Sequence, residues 1–352
     1  MKTFFKEITK KIIRSSNLCR KMIYKLYNAS FSTQQTQAES VWMASDERKE
    51  NFVLSEKATY SGYSIDYLNS KYLSKEERKR ELKRNFYNYC KYYLDLDNPK
   101  TFNQKLQWLK MNYYDPKESR CVDKAEFKKY IKEELGDGYT VPLYGVWEDE
   151  NQIDFSSLPK QFVLKSTVQS DGRHIVVVKD KTLLDLDLLK TVMSSWLLPR
   201  NTLCSSYCSA YKNITPRILA EEYIDTLDGG ALLDYKFMCF NGKVEMLFVV
   251  ADRDKQMCVN FYDLNWNLLP FTRSYPNTKY AISKPKNFDL MVELATKLSK
   301  PFPFVRVDFY ESKGKVYVGE LTFYPGGGYE TFQPMEWDYK LGEMITLPEA
   351  NI

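Results

Sequence analysis

In a chain of 352 residues with one histidine, the side chains best placed to do chemistry are acids and cations on two neighbouring runs. Arg306-Val307-Asp308 stands in an alternating apolar stretch at 304–310, and Glu320-Leu321-Thr322 in another at 315–323, with Glu311-Ser312-Lys313-Gly314 between them. Two carboxylates on one sheet face can share a hard divalent cation, and an arginine beside them can hold an anion that the cation also touches.

The two runs predict a β-hairpin, and its register decides whether the acids meet. With Ser312-Lys313-Gly314 as a three-residue turn and Gly314 in the left-handed region, Glu320 lies opposite Arg306 and diagonal to Asp308, with Cβ atoms about 7–8 Å apart. Val305, Val307, Phe309, Tyr317, Leu321 and Phe323 then share one face, and Arg306, Asp308, Glu320 and Thr322 the other. A two-residue turn sends Asp308 and Glu320 to opposite faces and removes the site. An amphipathic hairpin with a solvated charged face is the plain alternative.

A second cationic element precedes it. Phe162-Val163-Leu164-Lys165 reads as a short strand, followed by a small polar loop, Ser166 to Arg173, and a second strand at 174–179. Loop amides and a flanking lysine can surround phosphate oxygens, so this unit predicts a lid. Around it the pattern gives a charged helix within 64–94 with Ser74 and Glu77 as a capping box, and a short helix capped by Thr101 or Asn103. A helix at 125–135 stopped by Gly136, a strand at 141–147, a helix at 183–198, an edge or hinge strand at 217–224, a hairpin across Asn241-Gly242 and a helix at 288–298 complete the reading. Pro325-Gly326-Gly327-Gly328 is a loop flexible enough to approach a ligand closely.

Composition narrows the class. With 43% hydrophobic residues and 15% aromatics the chain can build real cores, and a net charge of +5 does not mark a nucleic-acid binder. Seven cysteines, an odd set without a CxxC pair, and a sole histidine, His174, argue against a disulfide framework and a Cys/His zinc site and for a reducing, cytoplasmic setting. His174, beside Ile175-Val176-Val177-Val178, reads as a strand-start or loop histidine, and the tyrosines Tyr87, Tyr89, Tyr92 and Tyr93 as packing residues. Residues 1–27 carry eight Lys or Arg against Glu7, interleaved with apolar side chains. That predicts either an amphipathic helix at the inner face of an anionic membrane or a surface helix docked on its own domain, and no secretory signal.

The ordered set Asp123-Lys124, Phe162 to Lys165, Glu221-Glu222-Tyr223-Ile224, Arg306-x-Asp308 and Glu320-x-Thr322 resembles an ATP-grasp enzyme. Phe102-Asn103-Gln104-Lys105-Leu106-Gln107-Trp108-Leu109, Asp234 to Gly242 and Gly319-Glu320-Leu321-Thr322-Phe323-Tyr324-Pro325 resemble, more closely, the TupA-like ATP-grasp family of surface-polysaccharide gene clusters. The resemblance covers residues 98–345 and implies an α+β fold, two lobes gripping ATP, while residues 1–97 lie outside it and read from their pattern as a helical N-terminal extension. The chain then divides into 1–50, a basic segment and linker; 51–97, helical; 98–160, the start of the ATP-grasp unit; 161–230, the lid lobe; and 231–352, the lobe with the metal site.

It also implies roles. Lys165 and Lys124 contact the α- and β-phosphates; Ser170, Gly172 and Arg173 close over them, with Arg173 and Arg306 catalytic. Glu221 and the Glu222 backbone accept from the adenine amine, the Ile224 amide donates to the ring, Tyr223 belongs to the same hinge, Asp228 takes the ribose and Lys236 joins the nucleotide site. Asp308 and Glu320 hold Mg²⁺, and Arg306 stabilises an acyl phosphate. The implied activity is an ATP-dependent carboxylate–amine ligase joining, for example, an amino acid to a uronic acid of a cell-surface glycan, so the partners are a sugar-linked carboxylate and an amine. Two departures stand out: Thr322 where the superfamily usually has asparagine, and a single glycine, Gly172, in the phosphate loop. The rival functions are a glycosyltransferase using Asp252-Arg253-Asp254 as a DxD metal site, and a nucleotide-binding scaffold without turnover.

Overall fold

A computed structural model describes residues 52–54, 74–168, 174–197, 208–211, 214–224, 233–252 and 256–352. The basic segment 1–27, Ser170, Gly172, Arg173, Asp228, Arg253 and Asp254 lie outside the described residues. No helix among the described residues is long and apolar enough to cross a membrane.

The elements run β1 (Phe52–Leu54), α1 (Lys75–Cys90), α2 (Phe102–Asn112), α3 (Pro116–Val122), α4 (Lys124–Leu135), β2 (Leu143–Trp147), β3 (Phe162–Ser166), β4 (Ile175–Val178), α5 (Leu186–Trp196) and β5 (Ile218–Glu222). They continue with β6 (Asp234–Phe240), β7 (Lys243–Ala251), β8 (Cys258–Tyr262), β9 (Thr272–Arg273), α6 (Phe288–Ser299), β10 (Phe304–Ser312), β11 (Lys315–Thr322), β12 (Phe332–Gln333) and α7 (Glu336–Glu343). Local chemistry sets the ends. Ser74 and Glu77 form the expected capping box on α1, and Thr101 with Gln104 forms one on α2. Thr101 is therefore the cap and Asn103 is released for another task. The 183–198 helix begins later, at Leu186, because Asp185 caps it and Lys181–Leu183 is a separate 3₁₀ turn.

Two five-stranded antiparallel sheets form the frame, ordered β1-β4-β3-β5-β2 and β11-β10-β6-β7-β8, with a two-stranded β12-β9 ribbon besides. The first sheet draws β1 and β2 from outside 161–230. Its strand β5 pairs with β3 on one side and β2 on the other, so of the edge or hinge strand expected it is not the edge, because β2 covers it. Phe162, Leu164, Val176, Val178, Ile218 and Ala220 pack on Leu189, Met193 and Trp196 of α5, which leaves Lys165 and Glu221 for the opposite face. In the second sheet Phe237, Val307 and Leu321 face the core with Phe288 and Met291 of α6. Lys236, Asp308 and Glu320 are consequently turned to the other face.

The β10–β11 hairpin corrects the predicted register. Its turn has two residues, Lys313 and Gly314, both left-handed at φ 53° and 73°, and Ser312 pairs with Lys315. That turn alone would separate the acids. A bulge at Gly319 adds one residue to β11, so Asp308 pairs with Glu320 while Phe309 pairs with Val318. Asp308 thus lies directly opposite Glu320, Arg306 opposite Thr322, and Tyr317 leaves the core face, where Val316 and Val318 stand instead. Glycine fits at the bulge because a Cβ on Gly319 would run into the Tyr310 ring. His174 lies just before β4 and is buried against Trp196 with ring centroids 5.9 Å apart.

Candidate active site

A row of directly opposed residues crosses the second sheet: Glu320, Asp308, Lys236, Phe248 and Phe261. Opposed side chains have Cβ atoms about 4.5–5.5 Å apart, so the row is a continuous contact. Arg306 donates from Nε and Nη2 to the two Asp308 oxygens at 2.7 Å each, a bidentate pair, and Lys236 also donates to Asp308 and to Asp234 at 2.7 Å. Arg306 Nη2 reaches Thr322 Oγ1 at 3.0 Å, and that hydroxyl donates to Glu320 Oε1 at 2.8 Å. Burial works against charge on Asp308, but Arg306 and Lys236 outweigh it and hold its carboxyl below the usual range. Arg306 is raised in turn: burial opposes its charge and Asp308 prevails.

The first sheet offers a second cluster. Glu221, on β5, pairs with Lys165 on β3 and with Lys128 on α4 at 2.9 Å. Burial would raise its carboxyl, yet the two lysines overcome that and bring it down to about 2. Helix α4 is docked by its start: Asp123 caps it, accepting from Ala125 and Glu126 N, and also accepts from Arg217 at 3.0 Å, while Lys124 N bonds Thr167 O at 2.9 Å. Lys124 and Lys128 are one turn apart, on one face. Burial lowers the Lys124 ammonium, opposed by Glu320, with Lys165 adding repulsion. Lys124 therefore lies within electrostatic reach of both clusters.

The loop after β11 completes the site, and helix α2 holds it. Asn103 Nδ2 donates to Glu330 O at 2.7 Å, Asn103 Oδ1 accepts from Glu330 N at 3.1 Å, and Asp338 Oδ2 accepts from Asn103 Nδ2 at 2.8 Å. Gln107 donates to Gly327 O and Gly328 O at 3.0 and 2.7 Å, and Lys110 donates to Gly327 O. The spacing i, i+4, i+7 puts the three on one helix stripe, all buried. Gly326, Gly327 and Gly328 are all left-handed, at φ 54°, 65° and 69°, and a Cβ on Gly326 would meet the Glu330 side chain. Beneath Tyr324 in the same loop, Glu118 accepts from the tyrosine hydroxyl at 3.2 Å, and burial pushes its carboxyl up to about 8.

The structure thus brings together Lys124, Lys165 and Glu221 in one cluster and Lys236, Arg306, Asp308 and Glu320 in another. Glu222 and Tyr223 stand apart from the phosphate candidates, lining a shallow cleft of about 510 Å³ with Tyr144, Lys160 and Lys179. Sequence reasoning missed Lys128, the Asn103-Gln107-Lys110 stripe, and the Arg273–Glu330 ion pair at 2.9 Å. The i, i+4, i+7 spacing of Asn103, Gln107 and Lys110 was the available signal for the second of these. Asp252 sits at a left-handed turn, φ 53°, and accepts from the Tyr280 hydroxyl at 3.0 Å. No described contact favours it as a metal ligand.

Among the described residues no group of three or more acid, histidine or cysteine side chains is arranged to hold a metal ion. The donors that are present, Asp308, Glu320 and the Thr322 hydroxyl, are hard oxygens on one sheet face. They fit magnesium, which takes few protein ligands and completes its shell with phosphate oxygens and water.

Two antiparallel sheets presenting acids and cations, with a glycine loop beside the acids, are the architecture of the ATP-grasp class. The chain belongs to the TupA-like ATP-grasp family, whose sequence profile matches residues 104–346. Among solved structures it is similar to D-alanine–D-alanine ligase from Helicobacter pylori, at 16% identity, covering 64% of this chain and 61% of that one with a TM-score of 0.38. The same enzyme from Bacillus anthracis gives 20%, 64%, 65% and 0.38, and a RimK domain ATP-grasp protein from Sphaerobacter thermophilus 10%, 65%, 69% and 0.36. The chain spans less than two thirds of both D-alanine–D-alanine ligases. A comparison with curated proteins finds no match.

Proposed function

We propose that the protein is an ATP-dependent carboxylate–amine ligase working through an acyl phosphate, and that its substrates are a sugar-linked carboxylate of a surface glycan and an amine. The observation that carries the reading is the Glu320-Asp308-Lys236 row with Arg306 bound across it, near a lysine cluster on the other sheet. The γ-phosphoryl passes to the carboxylate, the amine attacks the acyl carbon, and phosphate leaves. Such a transfer needs charge neutralisation and alignment more than a protein nucleophile.

Asp308 and Glu320, with Thr322, would hold magnesium, which when bound neutralises the developing phosphate charge. Lys165 leaves Glu221 for the α- and β-phosphates, and Lys124 neutralises the same oxygens. Arg306 stays fixed by Asp308 and receives the negative oxygen of the tetrahedral state. Lys236 keeps Asp308 ionised. Glu221, Glu222, Tyr223 and Ile224 frame the adenine, Asp228 the ribose, and Ser170, Gly172 and Arg173 the closing loop. The glycan substrate is supported by the family resemblance, and contact of residues 1–27 with an anionic membrane by their basic amphipathic pattern; liposome flotation unchanged by deleting 1–27 would refute that contact.

The experiment is ADP release from ATP and Mg²⁺ with panels of uronic acids and amines, comparing native protein with Asp308→Asn and Glu320→Gln. Acceptor-dependent release lost by at least a hundredfold in both variants is expected. Unchanged release in both refutes the metal row, and no release with any panel favours the scaffold.

A further inference from the structure

Arg273 lies outside every role above, yet it shares the reaction face. It sits on the β9–β12 ribbon, and its guanidinium carbon is 4.4 Å from the centroid of Phe248, the ring to which Arg306 approaches at 5.8 Å. Phe248 is the next residue after Lys236 in the row that contains Asp308. Two guanidinium groups on one ring are mutually repelled, and burial together with Arg306 pulls Arg273 below its usual range while Glu330 opposes.

We propose that Arg273 binds a carboxylate of the substrate, and that Glu330 occupies its guanidinium until that carboxylate arrives. The inference rests on the ligase reading of the same site. Among the described contacts the pair is monodentate, Nη1 to Oε2 at 2.9 Å, so most of the five donors of a planar fork remain for an incoming carboxylate. The Glu330 backbone is gripped by Asn103 at both N and O, which fixes the residue while its side chain alone exchanges. Gly326 carries no Cβ where that side chain stands, and the neighbouring Gly327 and Gly328 are fixed by Gln107. A substrate carboxylate on Arg273 is thereby delivered beside Arg306.

The test is thermal unfolding of the full chain with Mg²⁺ and a non-hydrolysable ATP analogue, adding D-galacturonate, D-glucuronate, D-alanine or L-glutamate, each against its methyl ester. At least one acid, and not its ester, is expected to protect the native protein further. Arg273→Gln weakens that protection about tenfold or more, as loss of charge-assisted hydrogen bonds requires, while nucleotide protection persists; Arg273→Lys, which keeps the charge but not the fork, weakens it too. Glu330→Gln keeps or strengthens it. Acids no better than esters in native protein, equal acid protection in the arginine variants, or equal loss in Arg273→Gln and Glu330→Gln, as a mere structural tie would give, overturns the proposal. Protection by an acid without protection by the nucleotide would instead defeat the ligase reading and leave Arg273 standing.

Discussion

Replacing Glu221 by glutamine tests the energetics of the lysine cluster. Glu221 is buried and pairs with Lys165 and Lys128, which bring its carboxyl from an ordinary 4.5 to about 2. At about 1.4 kcal/mol per unit, that depression corresponds to about 3 kcal/mol of native-state stabilisation at neutral pH. The same order follows for breaking a buried pair by removing one partner, about 3–5 kcal/mol. The sign is fixed by the direction of the shift. A depressed carboxyl contributes fully above its unfolded value, near 4.5, and loses the contribution as pH falls toward 2. Urea unfolding of native protein and Glu221→Gln at pH 7, 5, 4 and 3 should therefore show a gap of about 3 kcal/mol that holds to pH 5 and narrows below it. A gap that stays constant down to pH 3, or one under about 1 kcal/mol at pH 7, refutes the coupling.

Glu118 should behave with the opposite sign. Its carboxyl is raised to about 8, so its contribution is complete below about 4.5 and is lost as pH rises through 8; Glu118→Gln should flatten the fall in native stability between pH 5 and 8 in urea titrations. Asn103→Ala removes three side-chain hydrogen bonds that tie α2 to Glu330 and Asp338. A loss of about 3 kcal/mol by chemical unfolding is expected, together with lower acceptor-dependent turnover. Gly326→Ala forces a Cβ against Glu330 at a left-handed position, and should cost about 1–2 kcal/mol and raise the carboxylate KM more than the ATP KM in steady-state assays.

Sequence pattern read most of the frame because its signals are local. Ser74 with Glu77, Thr101 with Gln104, and Asn241-Gly242, both left-handed at φ 49° and 78°, each settle an element end within a few residues. The hairpin acids were placed on one face, but by the wrong turn: the glycine that mattered for register was Gly319, which alternation alone does not mark as a bulge. What remained hidden is non-local. Asn103 meets Glu330 across 227 residues and Gln107 meets Gly328 across 221, contacts that no window of sequence encloses. Nor could burial of Lys128 against Glu221 be read, since it depends on Arg217 docking the start of α4.

The bulge at Gly319 is what lets the two-residue turn at Lys313-Gly314 keep both acids on one face. Straightening β11 with every residue kept would set Gly319 opposite Asp308 and turn the outer half of the strand over, burying Glu320 and expelling Leu321. Deleting Gly319 removes the extra residue itself and leaves Glu320 opposite Asp308 in an unbroken ladder, and a residue added within the turn leaves every pairing beyond it intact. An engineer could therefore exchange the tight turn for a three-residue one and remove Gly319 as well. The acids would then meet across the sheet through a shorter strand and a longer loop.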